Sequence, residues 1–311
     1  MVDVPSVDID FLSKQTPGFS GADIANVCNE AALFAARKER QLVSHQDFLD
    51  AVDRIIGGLE KRTKIITENE KNTIAFHEAG HAVVSWLVEF ASPLVKVSIV
   101  PRGLAALGYA QSLPQERYLY TKEALIDRMV MMMGGRVAEE IIFGKEAVTT
   151  GASNDIERVT EIARNMVTKW GLSDRLGPIA YDTEDNQPFL GKAATQSSGI
   201  SDETAHAIDK EIRSIIDGCY ERAKQILEDH MDKLHLMSDA LMKYETIDRK
   251  QIDEIMQGRE PGPPESWDDS DTPNSGGGNA PTASTPDSDA SSDKQDKGDK
   301  GVPSPAHHRE S

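Results

Sequence analysis

The chain has 311 residues, and its 52 Asp and Glu outnumber its 34 Lys and Arg, so its formal net charge is -18. This length supports about two domains, each with its own core. The acidic balance argues against nucleic acid as a partner, because phosphate contacts require a basic surface. No apolar run approaches the roughly 18 residues that span a bilayer, and the start lacks a secretory signal, so the chain itself is expected to be soluble.

Residues 1–60 are predicted to form a small helical unit. Ser20 with Asp23, and Ser44 with Asp47, are capping boxes, and each marks the start of a helix. The first of these helices carries an apolar stripe at helical spacing, formed by Ile24, Val27, Cys28, Ala31, Phe34 and Ala35. Two short helices bury little surface, so this unit is expected to pack against another part of the protein.

A second, larger domain is predicted over residues 61–258. Its first helix begins at the Thr67–Glu70 capping box and is expected to run from about residue 68 to residue 90, because Pro93 disfavours a helical residue before it. Apolar residues recur along this helix at helical intervals: Ile74, Ala75, Ala82, Val83, Trp86 and Leu87.

A small sheet and further helices are predicted next. Residues 95–99 alternate between apolar and polar, which is typical of a strand, and residues 107–113 are expected to form the returning strand. An exposed edge of such a sheet would accept an extended peptide, although simple packing explains the same pattern. Helices are predicted over residues 122–142, from Ser153, and from Ser201 onwards, so the fold class is mainly α with a small β-sheet. The helix from Ser153 has a predicted apolar stripe: Ile156, Val159, Ala163, Met166, Val167 and Trp170.

The last part of the chain changes composition after Gly258. Residues 259–311 are rich in Pro, Ser, Gly, Asp and Thr and contain almost no apolar side chains. Such a segment cannot bury enough surface to offset its conformational entropy, so it is predicted to be a disordered acidic tail.

The chain contains two cysteines, Cys28 and Cys219. Each falls on the apolar stripe of a predicted helix, so both are expected to be buried free thiols rather than a disulfide or metal ligands. This pattern is typical of a reducing, cytosol-facing compartment.

The most informative stretch is His77-Glu78-Ala79-Gly80-His81, an H-E-x-x-H motif. On a helix, positions i and i+4 share a face, so both imidazoles can bind one zinc ion. Glu78 then lies beside the ion without ligating it, where it can accept a proton from water. Two histidines on a half-apolar helix are often ordinary packing residues, but the complete motif on a capped helix favours zinc binding.

A hydrolytic zinc site needs a third protein ligand and an open position for water. Glu139, on the following helix, is one candidate, and Asp155, in the first turn of the helix after a glycine-containing loop, is the other. A salt-bridged surface role would also explain Glu139, and the helix dipole alone would favour an acidic residue at Asp155. The spacing leaves both candidates open.

Several stretches resemble FtsH, a family of membrane-anchored, ATP-dependent zinc metalloproteases. Three of them carry most of the resemblance: Thr16 to Asp23 (TPGFSGAD), His77 to His81, and Thr150 to Ile156. Two more are similar, Gly134-Gly135-Arg136 and Leu241 to Thr246. The resemblance covers nearly the whole chain before the acidic tail and corresponds to the C-terminal portion of the family.

The resemblance implies a role for each residue of the candidate site. His77, His81 and Asp155 would be the zinc ligands, one zinc ion per chain, and Glu78 would be the catalytic base. Glu139 would then orient a ligand histidine.

The resemblance also implies domains, substrates and partners. Residues 1–60 would be the helical AAA lid of a truncated ATPase module, and residues 61–258 a zincin-type, largely helical peptidase domain. The reaction would be hydrolysis of peptide bonds in unfolded or threaded proteins, carried out by a homohexamer. The full-length family is anchored at the cytoplasmic side of the inner (plasma) membrane.

Three parts of the family pattern have no counterpart in this sequence. These are the transmembrane anchors, the substrate-threading pore segment and the G-x-x-x-x-G-K-[ST] phosphate-binding loop. The chain is therefore expected to be a fragment or truncated form that begins inside the ATPase lid, and ATP belongs only to the full-length family. Two alternatives remain: a non-catalytic helical module that assembles a ring for a separate ATPase, and a zinc hydrolase acting on something other than peptides.

Overall fold

The structure is a computed structural model, and it describes residues 2–58, 67–101, 108–113, 119–181 and 200–264. Its helices are α1 (Ile9–Gln15), α2 (Gly21–Arg37), α3 (His45–Gly57), α4 (Glu68–Leu87), α5 (Lys122–Phe143), α6 (Ser153–Thr168), α7 (Asp202–Asp229), α8 (Met231–Tyr244) and α9 (Arg249–Met256). Its strands are β1 (Leu94–Ser98), β2 (Tyr109–Ser112) and β3 (Thr246–Asp248). Short 3-10 helices occur at Val4–Ser6 and Lys145–Ala147. The predicted fold class, mainly α with a small sheet, is confirmed.

Helices α2 and α3, near the N-terminus, form a small apolar core of their own. Both predicted capping boxes are present, at Ser20 and at Ser44. The core consists of side chains from α2, α3 and the segment between them: Val27, Ala31, Ala35, Val43, Ala51 and Val52. Cys28, which the sequence predicted to be buried, is exposed. Helix α2 packs mainly against one helix, α3, so a narrow stripe of Val27, Ala31 and Ala35 is enough to cover the contact. Cys28 lies beside that stripe.

The larger part of the chain, residues 67–264, is built around α4. This helix packs against α5 and α8 and also contacts α7 and β1. Residues 74–80 and 82–85 of α4 are all buried, as expected for a helix surrounded by neighbours on all sides. These contacts place the H-E-x-x-H motif inside the protein rather than on its surface.

The C-terminal end of α4 differs from the prediction. The helix ends at Leu87, before the expected residue 90, and both Trp86 and Leu87 are exposed. Val88 is already extended, and the backbone N–H of Phe90 donates to the buried carboxylate of Asp127 at 3.0 Å. The end of the helix is therefore set by a partner from α5 that the local sequence does not reveal.

The sheet has three antiparallel strands in the order β2-β1-β3. Val97 of the central strand β1 pairs with Ala110 on one side and Ile247 on the other. The predicted strand pair is confirmed, whereas β3 was not predicted. Leu107, the expected start of the second strand, lies outside the described residues. Among the described strands, β2 has a neighbour on one side only.

Two further helices position the candidate site. Helix α5 begins at the Thr121 cap and ends at Gly144, close to the predicted limits. Helix α6 buries Val159, Ala163, Met166 and Val167, but Ile156 and Trp170, the two ends of its predicted stripe, are exposed. Packing therefore covers α6 from Val159 to its last residue and leaves its first turn accessible.

Other sequence predictions have mixed outcomes. Cys219 on α7 is buried as expected. The acidic tail lies outside the described residues, except for its first positions up to residue 264. Within the described ranges, no helix is both long enough and apolar enough to cross a bilayer. The domain boundaries at residues 60 and 258 stay predictions.

Candidate metal centre

The two histidines of the motif face each other across one turn of α4. Their ring centroids are 4.7 Å apart, and the two Nε2 atoms are separated by 3.1 Å. This geometry follows directly from the i, i+4 spacing on an intact helix. Two nitrogen atoms able to bind a cation therefore converge at one point.

Asp155 reaches the same point from the first turn of α6. Its Oδ2 atom lies 3.4 Å from His81 Nε2 and 3.6 Å from His77 Nε2. The loop before α6 is tightened by the Ser153 hydroxyl, which donates to the carbonyl of Thr150 at 2.6 Å. Asp155 keeps 25% of its side chain exposed, so the centre has an opening to solvent on this side.

The spacing of these three atoms fits a tetrahedral zinc ion. Ligands at the usual zinc distances lie about 3.3 Å from one another along the edges of a tetrahedron, and the three observed separations run from 3.1 to 3.6 Å. Two imidazoles with one carboxylate are also a donor set that zinc accepts in hydrolytic sites. Within the described part of the chain, His77, His81 and Asp155 are the group identified as able to hold a metal ion.

The outer nitrogen of each imidazole is fixed by a hydrogen bond. His81 Nδ1 donates to the carbonyl of Met131 on α5 at 2.9 Å, and His77 Nδ1 lies 2.7 Å from Glu139 Oε1. A carbonyl or carboxylate can only accept, so both Nδ1 atoms carry hydrogen. In the neutral imidazoles, both Nε2 lone pairs then point into the centre, where a cation between them would remove their mutual repulsion.

Glu139 lies behind His77 rather than in the centre. Its side chain is 1% exposed, and its second oxygen accepts a hydrogen bond from the backbone N–H of Thr149 at 2.7 Å. Burial opposes ionisation, but the hydrogen bonds from His77 and Thr149 outweigh it and lower the pKa of Glu139. Of the two candidates for third ligand, the structure brings Asp155 to the paired Nε2 atoms and gives Glu139 the outer nitrogen of His77.

The carboxylates around His77 favour its charged form. Burial disfavours the charged form of His77, but the carboxylates of Asp155, Glu139 and Glu78 outweigh it and raise the pKa of His77 to about 9. Burial likewise opposes the ionised form of Asp155, yet the two histidines lower its pKa well below the usual range. The centre therefore attracts positive charge, which a proton provides when zinc is absent.

Glu78 lies next to the histidines but ligates nothing. Its side chain is buried, and this burial raises its pKa, while His77 and His81 oppose the rise. A carboxylate with a raised pKa is better suited to accept a proton near neutral pH than an exposed one. The position of Glu78 is compatible with a general base.

Two glycines of α5 make room for the centre, and the residue-by-residue sequence reasoning gave them no role. A side-chain carbon at Gly135 would lie 2.5 Å from His81 Nε2 and 2.7 Å from His77 Nε2. Gly134 meets Gly80 of α4, and a carbon at position 134 would lie 2.6 Å from the Gly80 carbonyl oxygen. The glycine pair itself could have indicated this role, because a glycine inside a helix costs about 1 kcal/mol of stability relative to alanine and usually has a packing or functional reason.

A buried H-E-x-x-H helix, with a carboxylate from a neighbouring helix beside both histidines, is the pattern of zincin-type metallopeptidases. The comparisons with known proteins identify the family. Residues 64–255 match Peptidase family M41, and residues 6–50 match the AAA+ lid domain. The chain therefore belongs to peptidase family M41 and carries an AAA+ lid match before the peptidase region.

Relatives carrying the name ATP-dependent zinc metalloprotease FtsH support this assignment. The protein from Rhodothermus marinus is 52% identical over 250 residues, which cover 80% of this chain and 35% of the relative. The protein from Photobacterium profundum is 50% identical over 85% of this chain and 38% of the relative. The one from Haemophilus influenzae is 46% identical over 90% and 44%. The chain thus spans less than half the length of these relatives.

Proposed function

We propose that this chain is a zinc-dependent endopeptidase that hydrolyses peptide bonds of unfolded or threaded proteins. In this proposal His77, His81 and Asp155 hold one zinc ion, and Glu78 is the general base. The observation that carries the proposal is the convergence of three ligand atoms, 3.1 to 3.6 Å apart, from two separate helices. Membership of a peptidase family supports the reaction type.

The chemistry divides between the ion and the protein. Bound zinc acidifies water to a pKa of about 7 and polarises the scissile carbonyl. Glu78 accepts the proton of the attacking water and then delivers it to the leaving amine nitrogen. Glu139 and the Met131 carbonyl hold the two imidazole rings in the orientation that presents Nε2 to the ion.

Strand β2 is suited to align the substrate. Gly108, directly before β2, approaches the Glu78 side chain closely, and β2 has only one neighbouring strand among those described. An extended peptide added to this strand would pass beside the general base with its backbone hydrogen-bonded. This binding mode would favour unstructured substrates over folded ones.

The proposal includes a larger assembly. The AAA+ lid match and the names of the relatives support an ATP-dependent protease. In the proposed assembly this portion forms the proteolytic part of a homohexamer. In that setting the full-length protein is anchored in the inner (plasma) membrane with this portion on the cytoplasmic side. ATP would bind to another part of that full-length protein, because residues 1–311 contain no G-x-x-x-x-G-K-[ST] loop.

The substitution Glu78→Gln tests the proposed chemistry. It should preserve bound zinc, measured as metal per chain, while cleavage of an unstructured protein such as casein falls at least about 100-fold. Cleavage at the unsubstituted rate would show that Glu78 is not the base. Zinc-free, inactive but oligomeric protein would instead favour the non-catalytic ring-assembly module.

A further inference from the structure

Gly108 lies directly before strand β2, where the presence of a glycine needs an explanation. Its backbone is not in the left-handed region that would require glycine. Glycine at a strand position sacrifices packing and backbone order, and it commonly marks a close approach by another group. The local backbone therefore gives no reason for glycine at this position, and the reason has to come from a neighbour.

That neighbour is the side chain of Glu78. A side-chain carbon at position 108 would lie 2.6 Å from Glu78 Oε1, 2.8 Å from its Cγ and 2.9 Å from its Cδ. Non-bonded carbon contacts are optimal at about 3.5–4.0 Å, so both groups cannot keep their positions. The three nearest atoms all belong to the outer part of Glu78, and none is backbone.

These contacts determine which group would move. Glu78 is anchored on α4, whose backbone is buried on all sides, but its outer side-chain atoms can rotate. A larger residue at position 108 would displace the Glu78 carboxylate and leave the helix in place. The paired histidines and Asp155 are not among the three atoms nearest to a carbon at this position.

We propose that Gly108 is a positioning residue for the reaction, because the absence of a side chain there leaves the space in which the carboxylate of Glu78 lies against the strand that aligns the substrate. This inference rests on the proposed function of Glu78 as general base. If it holds, a substitution at Gly108 lowers turnover and leaves metal binding unchanged. Gly108 controls where the base lies, whereas Gly135 on α5 controls the space between the ligand nitrogens.

The test compares Gly108→Ala with two other Gly→Ala variants of the full chain. Gly218→Ala on α7 is the neutral control, because no atom lies within 4 Å of a carbon added there. Gly135→Ala is the opposite case, because its carbon would press on both Nε2 atoms. Each variant is measured for zinc per chain and for kcat and KM on a casein labelled with a self-quenching dye.

Gly108→Ala should keep its full zinc content and lose about 100-fold in kcat, since a misplacement of about 1 Å has that effect, with little change in KM. Gly135→Ala should lose zinc, and Gly218→Ala should match the unsubstituted chain. Unchanged kcat in Gly108→Ala would overturn the inference, and so would a raised KM at unchanged kcat, which would assign Gly108 to substrate binding alone.

A double substitution shows whether the effect passes through Glu78. Glu78→Asp shortens the side chain that meets the added carbon, so Gly108→Ala should lower kcat much less in the Glu78→Asp background than in the unsubstituted one. Equal reductions in both backgrounds would mean a general effect on the strand and would overturn the inference. Failure of the proposed function gives a different result, because Glu78→Gln would then keep its turnover.

Discussion

At the scale of single residues, the centre works because each polar group has a separate partner. The two Nδ1 atoms are occupied by Glu139 and by the Met131 carbonyl, which leaves both Nε2 atoms and the carboxylate of Asp155 directed at one point. Buried polar groups without such partners would be expensive, and a single missing contact would let an imidazole ring turn. Positioning groups therefore contribute to metal affinity without touching the ion.

The first prediction ranks the two carboxylates. Asp155→Ala removes a ligand atom from the centre and should reduce bound zinc sharply. Glu139→Ala removes only the group that orients His77 and should weaken zinc binding by about 10- to 100-fold. Zinc per chain, measured during dialysis against a graded chelator, checks this order; a larger effect of Glu139→Ala would exchange the two roles.

The second prediction concerns pH. The pKa of His77 in the metal-free chain is raised from 6.5 to about 9. The protonated ring therefore stabilises the folded, metal-free chain fully below pH 6.5, and this stabilisation is lost as pH rises through 9. Zinc requires the neutral ring. Apparent zinc affinity should therefore rise by about tenfold per pH unit between pH 6.5 and 9 through this one proton.

Calorimetry in buffers of different ionisation enthalpy measures this release. Zinc binding at pH 8 should liberate the His77 proton. Glu139→Gln should liberate less, because Glu139 is one of the groups that raise the pKa of His77. Zinc affinity independent of pH across this window would refute the prediction.

At the scale of elements, the approach of α4 and α5 decides whether the centre exists. Gly80 and Gly134 face each other, so the backbones of the two helices are in direct contact. This contact brings the Met131 carbonyl and Glu139 of α5 within hydrogen-bonding distance of the histidines on α4. Small residues at a helix crossing thus set the distance on which the metal site depends.

The third prediction tests this crossing. A carbon at Gly80 would meet the Gly134 backbone and lie 2.6 Å from Ala138 Cβ, and neither group can rotate away. Gly80→Ala should destabilise the peptidase region by about 3 kcal/mol or more, which lowers Tm by about 6–12 °C. Gly218→Ala, which meets no atom within 4 Å, should instead leave Tm unchanged or raise it. Equal Tm values for the two variants would contradict the close crossing.

At the scale of the whole molecule, the N-terminal helices and the peptidase region have separate apolar cores. An ion pair connects them, since Lys96 Nζ of β1 lies 2.7 Å from Asp53 Oδ2 of α3. Asp53 is only 6% exposed, so this pair is far better shielded from solvent than an ordinary surface pair. It links helix α3 to the central strand of the sheet beside the candidate site.

The fourth prediction concerns this link. Lys96→Met removes a cationic partner from the buried carboxylate of Asp53 and should accelerate hydrogen exchange of the α3 amides, because breaking a shielded pair is strongly destabilising. Lys122→Met is the control, since its partner Asp174 is almost fully exposed. Unchanged exchange in α3 after Lys96→Met would show that the pair does not hold this helix.

The errors of the sequence-based predictions have a common cause. Cys28, Trp86 and Ile156 each lie on an apolar stripe, yet all three are exposed. A stripe shows which face of a helix is apolar, but the number of neighbouring helices decides how much of that face is covered. Strand β3 was missed for a related reason, because three residues between two helices become a strand only when β1 lies beside them.

Spacing along the chain dictates the local chemistry of this protein: the capped helix, the paired histidines with their adjacent glutamate, and the succession of helices around a short sheet. Each of these depends on spacing within a few residues, which helical and strand geometry translate directly into position. Spacing left Asp155 and Glu139 as alternatives, and the family resemblance favoured Asp155. The tertiary structure placed Asp155 beside the paired Nε2 atoms and Glu139 behind His77. It alone brought out the close contacts of four glycines: Gly80, Gly108, Gly134 and Gly135. Those distinctions depend on distances between elements far apart in the chain, which are set by how closely the packed backbones approach.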